Sequence, residues 1–130
     1  MLLDASALMT YLLNEPGANE VLRVISDRSC AVSSVTLTEL EGKLVGRGAF
    51  TPDQVRAALT PLLALAREVP FDARCRTQAA FYYARKVPYD LSLGDAACLG
   101  TAGALGMDVL TAERGWRNIS DLPFRVEVIW

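Results

Sequence analysis

Met1-Leu2-Leu3-Asp4-Ala5-Ser6-Ala7-Leu8 is the stretch whose reading decides the fold. The leading apolar residues read as a short buried strand, and that strand stops on an acid. Directly after it, Leu8, Tyr11 and Leu12 recur at helical spacing over residues 6–13. A strand that runs through a polar residue straight into a helix is the start of an alternating strand–helix chain. The same grammar returns near the other end. Residues 107–110 form an apolar strand with Thr111 at its end, followed by Ala112 and Glu113.

The segments between them fill in the alternation. Asn14-Glu15-Pro16-Gly17 breaks the first helix. Val21, Leu22, Val24 and Ile25 mark a second helix, and residues 30–33 a short strand. Apolar residues at 35, 37, 40, 44 and 45 form a helical stripe that ends at Gly46-Arg47-Gly48. Thr51-Pro52-Asp53-Gln54 starts another helix twice over, with proline at the first helical position and glutamine closing a capping box. That helix is expected to reach about residue 66. Residues 68–71 resemble a strand and 72–86 an Ala- and Arg-rich helix. Residues 93–105 are small and apolar, as in a helix buried on most sides. Residues 125–130 alternate polar and apolar, as an edge strand does.

Short strands alternating with helices imply an α/β fold with a mostly parallel sheet and helices on both faces. The length of 130 residues suits a single domain, residues 1–130, with roughly two-thirds of its unfolded surface buried. The composition, 52% hydrophobic and 22% charged, excludes a disordered chain. No basic-then-apolar leader and no bilayer-length apolar run is visible, so a cytoplasmic protein without membrane contact is expected. Cys30, Cys75 and Cys98 are odd in number and widely spaced, which reads as buried thiols in a reducing compartment.

The chain has no histidine. That removes Ser-His-Asp and Cys-His nucleophile systems, His-ligated zinc and any imidazole base. Hydrolytic chemistry would have to use carboxylates and a hard metal ion. In parallel sheets functional residues gather beyond the carboxyl ends of the strands. Asp4 and Glu113 follow predicted strands, while Glu39 and Asp95 lie on helices that can flank the same edge. If these acids converge, their charges need a counter-cation, and Mg²⁺ or Mn²⁺ suits oxygen ligands. Ser6 and Thr111 can orient the ligands through their hydroxyls.

Each acid also has a purely local reading. Asp4 can cap the first helix, and Asp95 can close a capping box with Ser92. Glu39 can pair with Lys43 at i,i+4, and Glu113 can sit at the positive end of a short helix. Lys43 and Arg47 share the Glu39 side of their helix, where they read equally as a solvated face or as contacts to a phosphate backbone. Arg114 and Arg117 flank Trp116, where an arginine can stack on an unpaired base, although Trp116 itself reads as core. Arg74, Arg76, Arg85 and Lys86 read as a solvated basic face. Phe81, Tyr82 and Tyr83 are consecutive, so at least one must approach the surface. The net charge of −2 gives no blanket grip on nucleic acid.

In order along the chain, these motifs resemble the PIN-domain ribonucleases, in particular VapC toxins of bacterial toxin–antitoxin pairs. The resemblance rests on Leu3-Asp4-Ala5-Ser6-Ala7-Leu8, on the Asn14-Glu15-Pro16-Gly17 break, and on Ser33-Ser34-Val35-Thr36-Leu37-Thr38-Glu39-Leu40. It continues through Leu91-Ser92-Leu93-Gly94-Asp95-Ala96 and Leu110-Thr111-Ala112-Glu113-Arg114. The departure is Glu113, where the family most often has aspartate; the longer side chain makes a water-mediated metal contact the expectation there.

The resemblance implies a PIN-like three-layer α/β/α fold and a metal-dependent endoribonuclease acting on structured RNA such as tRNA or rRNA. It implies Mg²⁺ or Mn²⁺ held by Asp4, Asp95, Glu39 and Glu113, and products with a 5′-phosphate and a 3′-hydroxyl. It further implies inhibition by a cognate antitoxin and a homodimer, to which the 72–86 helix and the helix before it would contribute. Two alternatives remain at this point. One is a receiver-like phosphoryl-handling domain, which would need an acid pair after the first strand and a late lysine, whereas Ala5 follows Asp4 and no lysine follows Lys86. The other is a non-catalytic PIN-like domain whose pocket receives a partner's arginine.

Overall fold

The computed structural model describes residues 1–129, with the Lys86 side chain outside that description. The strands are β1 (Leu2–Leu3), β2 (Cys30–Ser33), β3 (Ala66–Val69), β4 (Val109–Thr111) and β5 (Val126–Val128). The helices are α1 (Ala5–Leu12), α2 (Ala18–Asp27), α3 (Ser34–Gly46), α4 (Pro52–Leu63), α5 (Ala73–Ala84), the short α6 (Lys86–Tyr89) and α7 (Leu93–Leu105). A 3₁₀ turn covers Arg114–Asn118. Among the described residues no helix is long and apolar enough to cross a membrane.

All pairings are parallel, in the order β3-β2-β1-β4-β5. The chain winds outward from β1 through β2 to β3, then returns to the other side of β1 for β4 and β5. The strand order therefore reverses between β1 and β4. Leu2 and Leu3 pair with Val109 and Leu110, and the Asp4 amide donates to the Leu110 carbonyl at 2.9 Å.

Because successive side chains in a strand point to opposite faces, the sheet feeds two cores. Leu3, Val32 and Leu110 pack with Leu8, Val21, Val24, Leu40, Leu44, Val55 and Leu62 of α1–α4. Leu2, Ala31 and Val109 pack with Tyr82 of α5 and with Ala96, Leu99 and Ala102 of α7. Each of Leu2, Leu3, Leu40, Leu99 and Leu110 is essentially without solvent contact. Burying one such leucine contributes roughly 2 kcal/mol. The small residues of α7 have a packing reason: a Cβ at Gly100 would collide with the Ala79 backbone of α5.

Local signals set most helix ends. The Thr51 hydroxyl accepts from the Gln54 amide at 3.2 Å, while the Gln54 side chain accepts from the Thr51 amide at 2.9 Å. Ser33 caps α3 through the Val35 amide at 3.1 Å, and Asp72 caps α5 through the Cys75 amide at 3.1 Å. The expected extension of α4 to residue 66 is corrected. The helix stops at Leu63 because Ala66 is taken up in β3, opposite Cys30. The α5 helix also stops short of the expected residue 86, at Ala84. β5 is an edge strand, as its alternation predicts; the expected end of that strand at Trp130 lies outside the described residues.

A candidate active site at the carboxyl edge of the sheet

In open α/β sheets the crevice for a ligand lies beyond the carboxyl ends of the strands where the strand order reverses. Here that point is between β1 and β4, and Asp4 and Thr111 line it. Asp4 has extended backbone at the N-cap of α1, yet its side chain makes no capping bond. The carboxylate is turned instead toward β4. Ser6 Oγ donates to Asp4 Oδ2 at 2.6 Å and Thr111 Oγ1 donates to the same oxygen at 2.9 Å. The Ala112 amide donates to Ser6 Oγ at 2.9 Å and the Glu113 amide to Thr111 Oγ1 at 3.0 Å. Each hydroxyl thus accepts from the loop after β4 and directs its one proton to Asp4. Ser6 and Thr111 thus both bond the Asp4 carboxylate.

Asp4 is only 3% exposed. Burial pushes its carboxyl pKa up to about 6, against the hydrogen bonds from Ser6 and Thr111, and the negative charges of Asp95 and Glu39 push in the same direction as burial. Asp4, Glu39 and Asp95 are therefore close enough for their charges to be felt together. Below them lies Cys98, whose thiol is driven well above its ordinary range by burial and by the fields of Asp4, Asp95 and Glu39.

Asp95 also closes the capping box of α7. Its Oδ2 accepts from the Ser92 amide at 2.9 Å, and Ser92 Oγ accepts from the Asp95 amide at 3.0 Å. Glu39, on α3, pairs with Lys43, Nζ to Oε2 3.0 Å. Its carboxylate lies against the first turn of α7: a Cβ at Gly94 would sit 2.7 Å from Glu39 Oε2. Glycine at this position is what lets the two helices bring their acids to one edge. Gly94 and Cys98 were not singled out as site residues by the sequence reading. The signal available for Cys98 was its i,i+3 spacing from Asp95, which places both on one helix face.

The remaining expected residues lie farther out. Glu113 is exposed, two residues beyond the position that faces Asp4. Arg47 is exposed at the C-cap of α3, and Arg114 is exposed at the start of the 3₁₀ turn with Arg117. Trp116 is buried in the second core. Arg74 and Arg76 are exposed on α5 and Arg85 is its C-cap; the helix exposes Phe81 and Tyr83 and buries Tyr82, and the Lys86 side chain expected to join the arginines lies outside the described residues. Among the described residues, no three Asp, Glu, Cys or His side chains are drawn together into a ready-made metal cage.

The PIN domain family profile matches residues 1–122. The chain belongs to the PIN domain family. This PIN domain shares its fold with VapBC2 from Rickettsia felis bound to a promoter DNA fragment, at 16% identity and TM-score 0.74, covering 99% of this chain and 97% of that one. It is similar to VapBC from Salmonella typhimurium at 20% identity and TM-score 0.73, covering 99% and 97% of the two chains. VapC20 from Mycobacterium tuberculosis, a toxin that cleaves the sarcin–ricin loop, matches at 18% identity and TM-score 0.71, covering 95% and 98%. No curated protein sequence matches. The family assignment replaces the receiver-like alternative.

Proposed function

We propose that this PIN domain, acting as one unit over residues 1–130, is a VapC-type toxin: a metal-dependent endoribonuclease that hydrolyses structured RNA such as tRNA or rRNA. The observation that carries the reading is the buried Asp4 carboxylate at the reversal of strand order, under the added negative charge of Asp95 and Glu39. A buried carboxylate beside two others favours any partner that brings positive charge. All the donors are hard oxygens, which suits Mg²⁺ or Mn²⁺. Asp4, Asp95 and Glu39 would hold the ion, with Glu113 reaching it through water. When bound, the ion supplies Lewis acidity that acidifies water and polarises a phosphate, which serves a chain without histidine.

The chain's own residues do the rest. Ser6 and Thr111 hold the Asp4 carboxylate in place, so that it could take a bound ion without reorganising. Asp95 is anchored by its capping bonds, and Glu39 by α7. Lys43, beside Glu39, and the exposed Arg47 and Arg114 farther out would position RNA phosphates. Hydrolysis adds water across one phosphodiester, leaving a 5′-phosphate and a 3′-hydroxyl. A cognate antitoxin would silence the enzyme by covering the crevice; that the VapBC neighbours are toxin–antitoxin complexes supports such a partner. The exposed Phe81, Tyr83 and Leu93 support a homodimer. Light scattering at micromolar concentration should give twice the monomer mass, and a monomer would remove that part of the reading.

The deciding experiment is RNA cleavage with Mg²⁺ or Mn²⁺, in EDTA, and with Asp4→Asn and Asp95→Asn. Both substitutions keep an oxygen to accept the existing hydrogen bonds, so folded protein with cleavage lost is expected. Cleavage undiminished in both variants, or in EDTA, overturns the proposal.

A further inference from the structure

We infer that Lys43 is a tethered counter-ion of the acidic crevice, holding Glu39 in the metal-free protein and giving way to the divalent ion when it binds. The inference rests on the metal-dependent reading above and adds a residue that sets how readily the ion enters.

The pairing follows from one turn of α3. Residues 39 and 43 are neighbours on the helix surface, and Nζ reaches Glu39 Oε2 at 3.0 Å. The two ends of the pair differ in freedom. The Glu39 side chain is 19% exposed, less than the acid of any other ion pair among the described residues, whereas the Lys43 side chain is 55% exposed. Glu39 cannot retreat toward α7, because its carboxyl atoms already fill the space a Cβ on Gly94 would need. Lys43 can leave, on a flexible four-carbon stem that swings into solvent.

The ammonium answers to more than Glu39. Beyond its contact with Glu39, the fields of Asp95 and Asp4 also act on it. The fold thus sets a positive charge against the three acids assigned to the ion. A divalent ion carries twice that charge and takes carboxylate oxygens directly, so the two compete for Glu39. The exchange releases an ammonium at the mouth of the crevice, where a phosphate oxygen of RNA would be its next partner.

Calorimetric titration of Mn²⁺ at pH 8, with thermal melts in EDTA, tests this on Lys43→Met, Lys43→Gln, Lys43→Arg and Asp95→Asn. Lys43→Met keeps the stem and removes the competitor, so Mn²⁺ should bind roughly three- to tenfold more tightly. Lys43→Gln should do the same, guarding against an effect of the Met side chain. The melting temperature in EDTA should fall in both, because the crevice has lost its internal cation. Lys43→Arg should stay within about twofold of the wild type, since it restores the charge. Mn²⁺ affinity unchanged or weakened in both neutral variants, with binding still lost in Asp95→Asn, overturns the role of Lys43 alone. Absence of Mn²⁺ binding in the wild type and in the neutral variants overturns the metal reading together with it.

Discussion

Asp4 and Glu113 both follow strands that end at the same sheet edge, on neighbouring strands paired in register, yet they have opposite environments. Asp4 stands one residue beyond the Leu3–Leu110 pair and is enclosed by hydroxyls. The position facing it on β4 belongs to Thr111, so Glu113 falls two residues later, in the exposed turn. A strand end supplies a place for chemistry, and register decides which residue occupies it. In this chain the paired strand contributes a hydroxyl at that register position and an acid only beyond it.

The sharpest way to test the contrast is Asp4→Asn. Cleavage should fall about a hundredfold or more, as expected for loss of a group at the centre of a metal site. Stability should move the other way. The folded pKa of about 6 lies above the ordinary 3.8, so the native state binds this proton more tightly than the unfolded chain. The group's contribution is fully present below about pH 4 and is lost as pH rises through about 6. Metal-free Asp4→Asn, which carries no charge to bury, should be more stable than the wild type at pH 7.5 by up to about 3 kcal/mol. It should also lack the decline between pH 4 and 6. Urea denaturation in EDTA across that range measures both, and parallel wild-type and variant profiles would contradict the burial of a charge at this position.

Thr111→Val should have an intermediate effect. It deletes one of the two hydroxyl donors to Asp4 and the acceptor of the Glu113 amide. Cleavage should drop about tenfold, and metal-free stability by about 1 kcal/mol. Because the lost bond favoured the charged form, the pH range over which wild-type stability declines should move upward. Glu113→Gln should be smallest, within about 0.5 kcal/mol in stability as for an exposed substitution and within about threefold in cleavage. A loss at Glu113 as large as at Asp4 would make the two strand ends equivalent and refute the contrast.

Much of this was readable from short spans. The capping boxes at Thr51 and Ser92, the caps at Ser33 and Asp72, and the Glu39–Lys43 pair are interactions within four residues. For Asp95 and Glu39 the local and the functional reading had looked like alternatives. In the structure the local bonds leave both acids near Asp4: Asp95 caps α7 and its charge reaches Asp4, and Glu39 pairs with Lys43 while resting against α7. A capping bond does not remove a carboxylate's charge from the crevice beside it. Where sequence reading missed, the cause was non-local. The α4 terminus depends on β3 pairing with β2, and the role of Gly94 depends on a side chain from another helix.

The sequence by itself determined the alternation of strands and helices, the burial of the first strand and of the 93–105 helix, and which acids are candidates for the site. It did so because periodicity, caps and chain breaks are recorded in neighbouring residues. Only the tertiary structure decided that β1 lies between β2 and β4, that the strand order reverses beside Asp4, and that Thr111 is the residue facing Asp4 across the paired strands. Burial patterns report how deeply a strand is covered but not which strand lies beside it. That choice is made by contacts between residues about a hundred positions apart, such as Asp4 and Thr111, 107 positions from each other.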